Sequence, residues 1–475
     1  MNQCGGLGVA MVRAFFTLAR LDGLLACSDT TLLRTRRAMI EATGTWGDAQ
    51  DAILARTMAP KDILVGADEN FHDAMMLVAM EPVSGFVLVE QGADRRDGET
   101  WTKTLRGALA KWPVRLVALV GDEAKGLLHC AMTGLGVPKV SDVFHVLHTL
   151  CGGTAGALAQ QVRGAQTALD TARAELDVAD AVRTATAARS ESELYQRLGG
   201  MLRAFDKVTA AHKTLALVEA SCEAVRAAVR DLSDRYHPVD LVTGALLSPT
   251  AVAARLREGF TTLRTRVREA GVATHTRVAK ALTKAERVLP SLTGWVQTWH
   301  RLVEARIVAL ELSAPETAWV WTVLLPALYF DHIVAQGADA ATRAQRRERR
   351  DALLLQIDAA DSPWQAWHAA TRTRVYACVR DCVELFVRTS SYVEGRNGQL
   401  ALSHHRTHHL APALLKALTV VHNYVLTRPD GTTAAERFTG HKHGDLFQHL
   451  VATLPLPARP RIRKPKERPP LLATG

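Results

Sequence analysis

The stretch ILVGADENFHDAMMLVAMEPVSGFVLV, residues 63–89, contains three apolar runs separated by polar segments. The runs are Ile63 to Ala67, Met76 to Met80 and Phe86 to Val89, and residues 81–85 between the last two are turn formers. Short apolar runs bounded by turn residues are typical of buried strands. The stretch therefore predicts three consecutive strands joined by short turns.

The residues that follow alternate between helical and strand patterns. We predict a helix over 97–112, a strand over 116–120, a helix over 124–133, a strand over 137–140, and a helix over 144–150 capped by Ser141 or Asp142. The order β-β-β-α-β-α-β-α is that of a ribonuclease H-like domain, and three strands before the first helix argue against a Rossmann fold. The predicted fold class is α/β (α+β mixed), a five-stranded mixed sheet flanked by helices and interrupted by a long all-α insertion.

Composition divides the chain into five regions. We expect 1–60 to be helical, 61–150 to be the first part of the ribonuclease H-like core, 151–385 to be a helical insertion, 386–453 to complete the core, and 454–475 to be a basic, Pro-rich disordered tail. In the insertion, the pairs Trp295/Trp299 and Trp364/Trp367 have helical spacing and are expected in the core rather than on a stacking surface.

Overall composition limits the class of protein. The chain has 475 residues, 48% of them hydrophobic and 22% charged, which excludes wholesale disorder. Its net charge of +10 suits a polyanionic partner such as DNA. Seven scattered cysteines without a CxxC pair indicate reduced thiols in the cytoplasm. The apolar segment 319–330 is too short to span a bilayer, so we expect a protein without a membrane partner.

Two aspartates follow predicted strands. Asp68 comes after the first strand and Asp122 after the fourth. In the predicted order these strands are parallel neighbours, so their carboxyl ends would bring the two carboxylates together. Such a pair is stable when divalent cations lie between them, and hard oxygen ligands favour Mg²⁺ or Mn²⁺ in a two-metal site. Each aspartate could instead be a turn or capping residue.

A third acidic ligand has to come from far along the chain. The best candidate is Glu394 in SSYVEGRNG, residues 390–398, a polar segment that interrupts two helical patterns. The alternative for Glu394 is an ordinary exposed glutamate in a turn. Glu384, inside a predicted helix, and Glu436, at a predicted helix start, are weaker candidates.

These residues carry a resemblance. Asp68, GDEAKGL at 121–127, SDVFHVLH at 141–148, SSYVEGRNGQL at 390–400 and ALTVVHNYVLTRPDGTTAAERFTG at 417–440 together resemble DDE transposases of bacterial insertion sequences. The resemblance implies a ribonuclease H-like core with Asp68, Asp122 and Glu394 as metal ligands. It also implies nicking at element ends followed by strand transfer from a 3′ hydroxyl. In the same pattern Asp142 and His145 are accessory candidates, although Asp142 is equally good as a helix N-cap.

Several basic or polar residues are candidates for contact with DNA. Near Glu394 these are Arg396, Asn397, His404, His405 and Arg406, because transposon ends must pass the active site. His404, His405, His408 and His409 have i, i+4 spacing that could also ligate zinc, but no third ligand is in register.

The N-terminal region has a helix-turn-helix pattern, 16–26 and 31–40, with Arg34, Arg36 and Arg37 on the second helix and Ser28 or Asp29 as its cap. Two core-packing helices are the alternative. Because related transposases carry a longer DNA-binding region, the chain is expected to begin part-way through one.

The sequence therefore predicts a Mg²⁺-dependent DNA transposase that is homo-oligomeric and cytoplasmic, associated with the nucleoid. The alternatives are a catalytically inactive or truncated DNA-binding derivative, a ribonuclease H-like endonuclease, and a purely structural helical protein. Convergence of the three acids, and strand transfer as opposed to cleavage alone, would distinguish them.

Overall fold

The computed structural model describes residues 8–455 except 22–23, 25–26, 72–73, 186–187, 189, 336–338 and 408–409, and leaves out the side chains of 405–407. The strands are β1 (Lys61–Phe71), β2 (Met75–Glu81), β3 (Phe86–Gly92), β4 (Val114–Gly121) and β5 (Lys139–Ser141). The helices are α1 (Val9–Leu18), α2 (Asp29–Thr57), α3 (Gly98–Leu109), α4 (Lys125–His129), α5 (Val143–Thr184), α6 (Glu191–Arg235), α7 (Pro249–Glu269), α8 (Thr276–Arg287), α9 (Leu289–Val308), α10 (Ala314–Trp319), α11 (Leu325–Val334), α12 (Ala340–Asp358), α13 (Pro363–Ala366), α14 (Ala369–Glu384), α15 (Ser391–Thr407), α16 (Pro412–Tyr424), α17 (Ala434–Thr439) and α18 (Leu446–Thr453). Two π-helical turns, Cys130–Leu135 and Val320–Leu324, follow α4 and α10.

The five strands form one mixed sheet in the order β3-β2-β1-β4-β5, with helices flanking it, and about 70% of the described residues are helical. Strands β1, β2 and β3 pair antiparallel, as a meander with short turns requires. The start of β4 lies beside the start of β1, since Lys61 N donates to Pro113 O (3.2 Å). Those two strands therefore run parallel, and the predicted α/β fold class, with its ribonuclease H-like strand order, is confirmed.

The chain divides into two compact units. The first, unit 1, comprises 1–119, 124–137 and 391–475, and the second, unit 2, comprises 120–123 and 138–390. In unit 1, β1 is buried on both faces: Ile63, Leu64, Val65 and Ala67 are at most 1% exposed. Aromatic side chains complete this core, where Phe86 stacks on Phe438 with ring centroids 4.5 Å apart. Apolar side chains on successive residues are expected of a central strand covered on both sides.

Helix α5 extends far beyond its predicted end. We expected the first part of the core to stop near residue 150, but α5 continues without a break through Gly152 and Gly153 to Thr184. Gly153 lies so close to α8 that a Cβ there would sit 2.4 Å from the Cβ of Ala281. Gly153 therefore marks a close helix contact and not a helix end, so the helix extends beyond the predicted range 144–150.

The N-terminal helices also differ from their predicted limits. Ser28 caps α2, accepting a hydrogen bond from Thr31 N (3.2 Å), as its position before the helix suggested. However, α2 has 29 residues and continues to Thr57, because Trp46 and Leu54 in its second half are buried in the unit 1 core. The second helix of the predicted helix-turn-helix is thus longer than the pattern indicated. The first, predicted over 16–26, is α1 and ends at Leu18, and residues 22–23 and 25–26 lie outside the described residues.

Unit 2 contains helices almost throughout. Trp295, Trp299 and Trp367 are at most 8% exposed and belong to the core as predicted, whereas Trp364 is only half-buried. Within the described residues, the segment Ala314–Val334 is the one stretch long and apolar enough to cross a membrane, with mean hydropathy 1.2. Of its most apolar 18 residues, 56% are buried inside the fold, as in a core helix. None of the six cysteines that the structure describes forms a disulfide bond.

Candidate active site

Asp68 lies inside β1 and not at its end. The strand continues past it to Phe71, with Asp68 opposite Val78 and Asn70 opposite Met76. Polar residues usually disfavour a strand, but here the antiparallel pairing with β2 extends it. The half-buried Asp68 carboxylate accepts a hydrogen bond from the Asn397 side-chain amide, with Oδ2 and Nδ2 3.0 Å apart.

The segment 390–398, expected to interrupt two helices, instead forms the beginning of α15 from Ser391 onward. Val393 anchors this helix to the sheet: it is fully buried in a cluster with Val78, Met80 and Val87. The Tyr392 hydroxyl lies against β1, where a Cβ at Gly66 would be only 1.9 Å from it. Gly66 therefore permits the close approach of helix and strand, and the first turn of α15 is held against β1 and β2.

Glu394 is exposed in the first turn of α15, and Asn397 follows one turn later. Residues three apart lie on the same side of a helix, so Glu394 and Asn397 share the side of α15 that reaches Asp68. Glu394 thus lies in a helix and not in a turn, but it is exposed, and its role as a metal ligand stays a prediction. Glu436, the weaker candidate, is the N3 residue of a capping box with Thr433 at the start of α17, which is a structural role.

Arg396 faces away from solvent. Its guanidinium donates two hydrogen bonds to the Glu90 carboxylate, Nε to Oε1 (2.7 Å) and Nη2 to Oε2 (2.6 Å). The side chains are 5% and 0% exposed, and Thr419 Oγ1 donates a further hydrogen bond to Oε2 (2.5 Å). This bidentate pair ties α15 to β3. Because the guanidinium is buried and paired with Glu90, we assign Arg396 a positioning role in place of the predicted phosphate contact.

Glu90 was not found from the sequence. It stands near the end of an apolar strand pattern, where a glutamate normally marks the solvent side. Its partner Arg396 lies 306 positions away in the chain, and one sequence contains no signal that links the two.

Asp122 directly follows β4, as predicted, and belongs to unit 2. Beside it, the buried Lys139 donates from Nζ to Gly121 O (2.9 Å) and to Glu123 Oε1 (2.7 Å). Burial lowers the pKa of Lys139, and the nearby carboxylates of Glu123, Asp122 and Asp142 oppose that change. Burial would raise the pKa of Glu123, but the Lys139 ammonium outweighs it and holds the pKa below its ordinary value.

Lys139 is a second residue that sequence reasoning missed. A lysine within a short predicted strand is usually on a solvated face, whereas its side chain here is 2% exposed. The Lys139 ammonium therefore offsets part of the negative charge of the carboxylates near the end of β4.

Asp142 caps α5. Its Oδ1 accepts from Phe144 N (2.7 Å), and its Oδ2 accepts from both the backbone N (2.8 Å) and the hydroxyl of Ser390. His145 Nε2 lies 3.9 Å from Oδ2. Asp142 is 1% exposed, so the N-cap interpretation fits it well; it fastens Ser390, the residue before α15. An accessory catalytic role for Asp142 and His145 stays a prediction.

The structure groups the predicted ligands in two sets. Asp68 and Glu394 belong to unit 1, where Asn397 connects the strand and the helix that carry them, and Asp122 belongs to unit 2. Among the residues that the structure describes, no group of three or more His, Cys, Asp and Glu side chains is placed to hold a metal ion. The predicted meeting of Asp68 with Asp122 stays a prediction.

One observation in unit 1 bears on whether a cation would fit. Asn397 Oδ1 is buried and has no hydrogen-bond partner, while the amide nitrogen of the same group is held by Asp68. A buried oxygen without a partner is costly unless something cationic or a donor satisfies it. Together with the Asp68 carboxylate it forms an all-oxygen set, which suits Mg²⁺ or Mn²⁺.

The other residues predicted to contact DNA differ in how exposed their side chains are. Arg34 and Arg37 are exposed on α2, whereas Arg36 is half-buried. His404 is 7% exposed and thus is not on the surface. The side chains of His405 and Arg406, residues His408 and His409, and the basic tail beyond residue 455 lie outside the described residues, so the zinc and tail hypotheses remain predictions.

Comparison with known proteins adds one finding. Residues 320–466 are similar to a protein family that is described only as a family of unknown function, DUF6399. The similar region is less than half of the chain and includes α15 with Glu394 and Asn397. No curated protein matches the sequence.

Proposed function

We propose that the chain is a DDE-type transposase, a metal-dependent enzyme that cleaves DNA at the ends of an insertion sequence and joins them to a target. The observation that carries this proposal is the hydrogen bond between Asp68 and Asn397, residues 329 positions apart. It brings the helix of Glu394 onto the first strand of a sheet with ribonuclease H-like strand order. Two of the three expected acids thus occupy neighbouring elements of unit 1.

In this proposal Asp68, Asp122 and Glu394 hold two Mg²⁺ or Mn²⁺ ions. The bound ions would neutralise the phosphate charge and promote ionisation of the attacking water or 3′ hydroxyl. Asn397 orients the Asp68 carboxylate through its amide nitrogen. The Arg396–Glu90 pair fixes the rotation of α15 about its axis. Glu394 and Asn397 are therefore already in position before DNA binds.

The expected partner is double-stranded DNA. The net charge of +10 and the exposed Arg34 and Arg37 support phosphate contacts. A cytoplasmic, nucleoid-associated location and a homo-oligomeric state accord with this partner, since two DNA ends have to be brought together.

The test is cleavage and joining of DNA that carries the two ends flanking the gene, with Mg²⁺, by the wild type and by Asp68→Asn, Asp122→Asn and Glu394→Gln. We expect each variant to lose at least about 100-fold in rate. Asp62→Asn is the matched control, because Asp62 lies on β1 as well but pairs with the exposed Arg115 (2.7 Å). It should keep wild-type activity.

The products separate the remaining hypotheses. Cleavage without joining would replace the transposase by an endonuclease. DNA binding without cleavage by the wild type would indicate an inactive derivative. Full activity in any of the three variants would remove that residue from the proposed ligand set.

A further inference from the structure

Unit 2 contains a long helical hairpin whose helices are joined by one apolar row. Helices α5 and α6 contact each other along their lengths, and Cys222 Sγ donates to Leu158 O (3.7 Å). On α6 the row that contacts α5 continues with Ala204 and Leu215, both buried. For a hairpin of two helices, one such row per helix is sufficient, and the other faces should be polar.

Helix α6 has a second apolar row, which we call the outer row: Tyr195, Leu198, Leu202 and Phe205. Its members are spaced by three, four and three residues, so they lie along one side of the helix. Tyr195, Leu202 and Phe205 are 66%, 58% and 56% exposed, while Leu198 is half-buried. Large apolar side chains repeated at this spacing and left in solvent are typical of a helix–helix interface without its partner.

The balance of acidic and basic side chains around the outer row limits the chemical class of its partner. Residues 190–209 contain three acidic and three basic side chains: Glu191, Glu193, Asp206, Arg197, Arg203 and Lys207. This segment is therefore neutral within a chain of net charge +10. DNA or an acidic peptide would find no excess of positive charge here. A surface with equal numbers of both signs is compatible with a copy of itself, as a two-fold interface requires.

We infer that the outer row of α6 is the site at which two copies of this chain associate, outer row against outer row. The two hairpins then form a four-helix bundle in which Tyr195, Leu198, Leu202 and Phe205 of each copy are buried. A contact of this length removes about 1,000 Å² from solvent, which is near the lower limit for a specific interface. The dimer should therefore dissociate on dilution. This inference rests on the proposed function for the expectation of a homo-oligomer and adds the surface through which the copies associate.

The test is the molar mass of the full chain, measured by light scattering over a range of concentrations. The wild type should shift from one to two chain masses as its concentration rises, and Leu202→Arg/Phe205→Arg should stay at one. Val308→Arg/Leu355→Arg is the matched control, since these residues of α9 and α12 are 69% and 72% exposed and the added charge is the same. The control, and the conservative Leu202→Met/Phe205→Leu, should behave as the wild type.

Three results would overturn the inference: a wild type that remains a single chain throughout, a Leu202→Arg/Phe205→Arg variant with the wild-type mass, or a control that dissociates as well. Circular dichroism checks that each variant keeps its helices. If the arginine variant loses them, the neutral Leu202→Gln/Phe205→Gln takes its place with the same expected result. DNA cleavage by the wild type plays no part in this test, so a failure here is distinct from a failure of the proposed function.

Discussion

At the scale of single residues, Asn397 is the most informative side chain. It holds Asp68 through one amide atom and has the other, Oδ1, buried without a partner. Residues that orient a metal ligand typically contribute a factor of 10–100 to activity while making little difference to stability, so about that range is expected here. Asn397 would then be a positioning residue whose effect passes through Asp68.

We predict that Asn397→Ala lowers the rate of DNA end cleavage about 10–100-fold and leaves the thermal unfolding temperature nearly unchanged. The rates are measured over a range of Mg²⁺ concentrations, because a residue that orients a ligand should also raise the Mg²⁺ concentration needed for half-maximal rate. Leu402→Ala, at a side chain of the same helix that is 74% exposed, is the control and should show neither change. An unaltered Mg²⁺ dependence in Asn397→Ala would contradict the assigned role.

The pair of Lys139 and Glu123 gives a second prediction at this scale. Glu123→Gln leaves the buried ammonium of Lys139 without its counter-charge, and we expect a loss of about 1–2 kcal/mol in the free energy of unfolding, a modest value because Glu123 is 38% exposed. Adding Lys139→Met should recover part of the loss. Chemical denaturation of the single and double variants measures this; a double variant less stable than Glu123→Gln would contradict it.

The same pair determines a pH dependence. The pKa of Glu123 is lowered in the folded chain, so its contribution to stability is present above the ordinary value of 4.5 and is lost as the pH falls below it. The difference in unfolding free energy between wild type and Glu123→Gln should thus be constant above about pH 5 and shrink on acidification. A difference that grows on acidification would show that the carboxylate is not stabilised by Lys139.

At the scale of elements, the contact of α15 with β1 depends on the absence of a side chain at Gly66. We predict that Gly66→Ala costs about 1–3 kcal/mol, because its Cβ would lie 1.9 Å from the Tyr392 hydroxyl oxygen. Gly107→Ala in α3 is the control: nothing lies within 4 Å of its Cβ position, and alanine favours a helix, so stability should stay equal or rise.

A double-mutant cycle checks the cause of the Gly66 effect. If the Tyr392 side chain is the obstacle, Tyr392→Ala should remove most of the additional cost of Gly66→Ala. Additive losses in the double variant would mean that the two side-chain positions do not interact and that α15 is held in another way.

At the scale of the whole molecule, the net positive charge and its distribution bear on the proposed binding of DNA. We predict that the logarithm of the association constant for non-specific duplex DNA falls linearly with the logarithm of salt concentration. Arg34→Gln/Arg37→Gln should reduce the magnitude of that slope by about 2. Arg257→Gln/Arg277→Gln, exposed arginines of α7 and α8, serves as the control with the same change of charge. Equal slopes for both variants would remove α2 from the DNA-binding surface.

The sequence by itself determined the order of the elements in the sheet. Local apolar runs and turn residues such as 81–85 specify strands because each acts over only a few neighbours. The same local signals identified the buried tryptophans, the cap at Ser28 and the helix-start role of Glu436. They also placed Asp122 at the end of β4.

Tertiary structure alone decided how far the elements extend and which side chains they bring together. Asp68 is inside β1 because β2 pairs beyond it, and α5 continues through Gly153, where α8 lies too close for a side chain. The contacts Asp68–Asn397 and Arg396–Glu90 join residues more than 300 positions apart. Burial and pairing across such distances depend on packing, which local propensity does not encode, so the roles of Glu90, Lys139 and Asn397 emerge only in the folded chain.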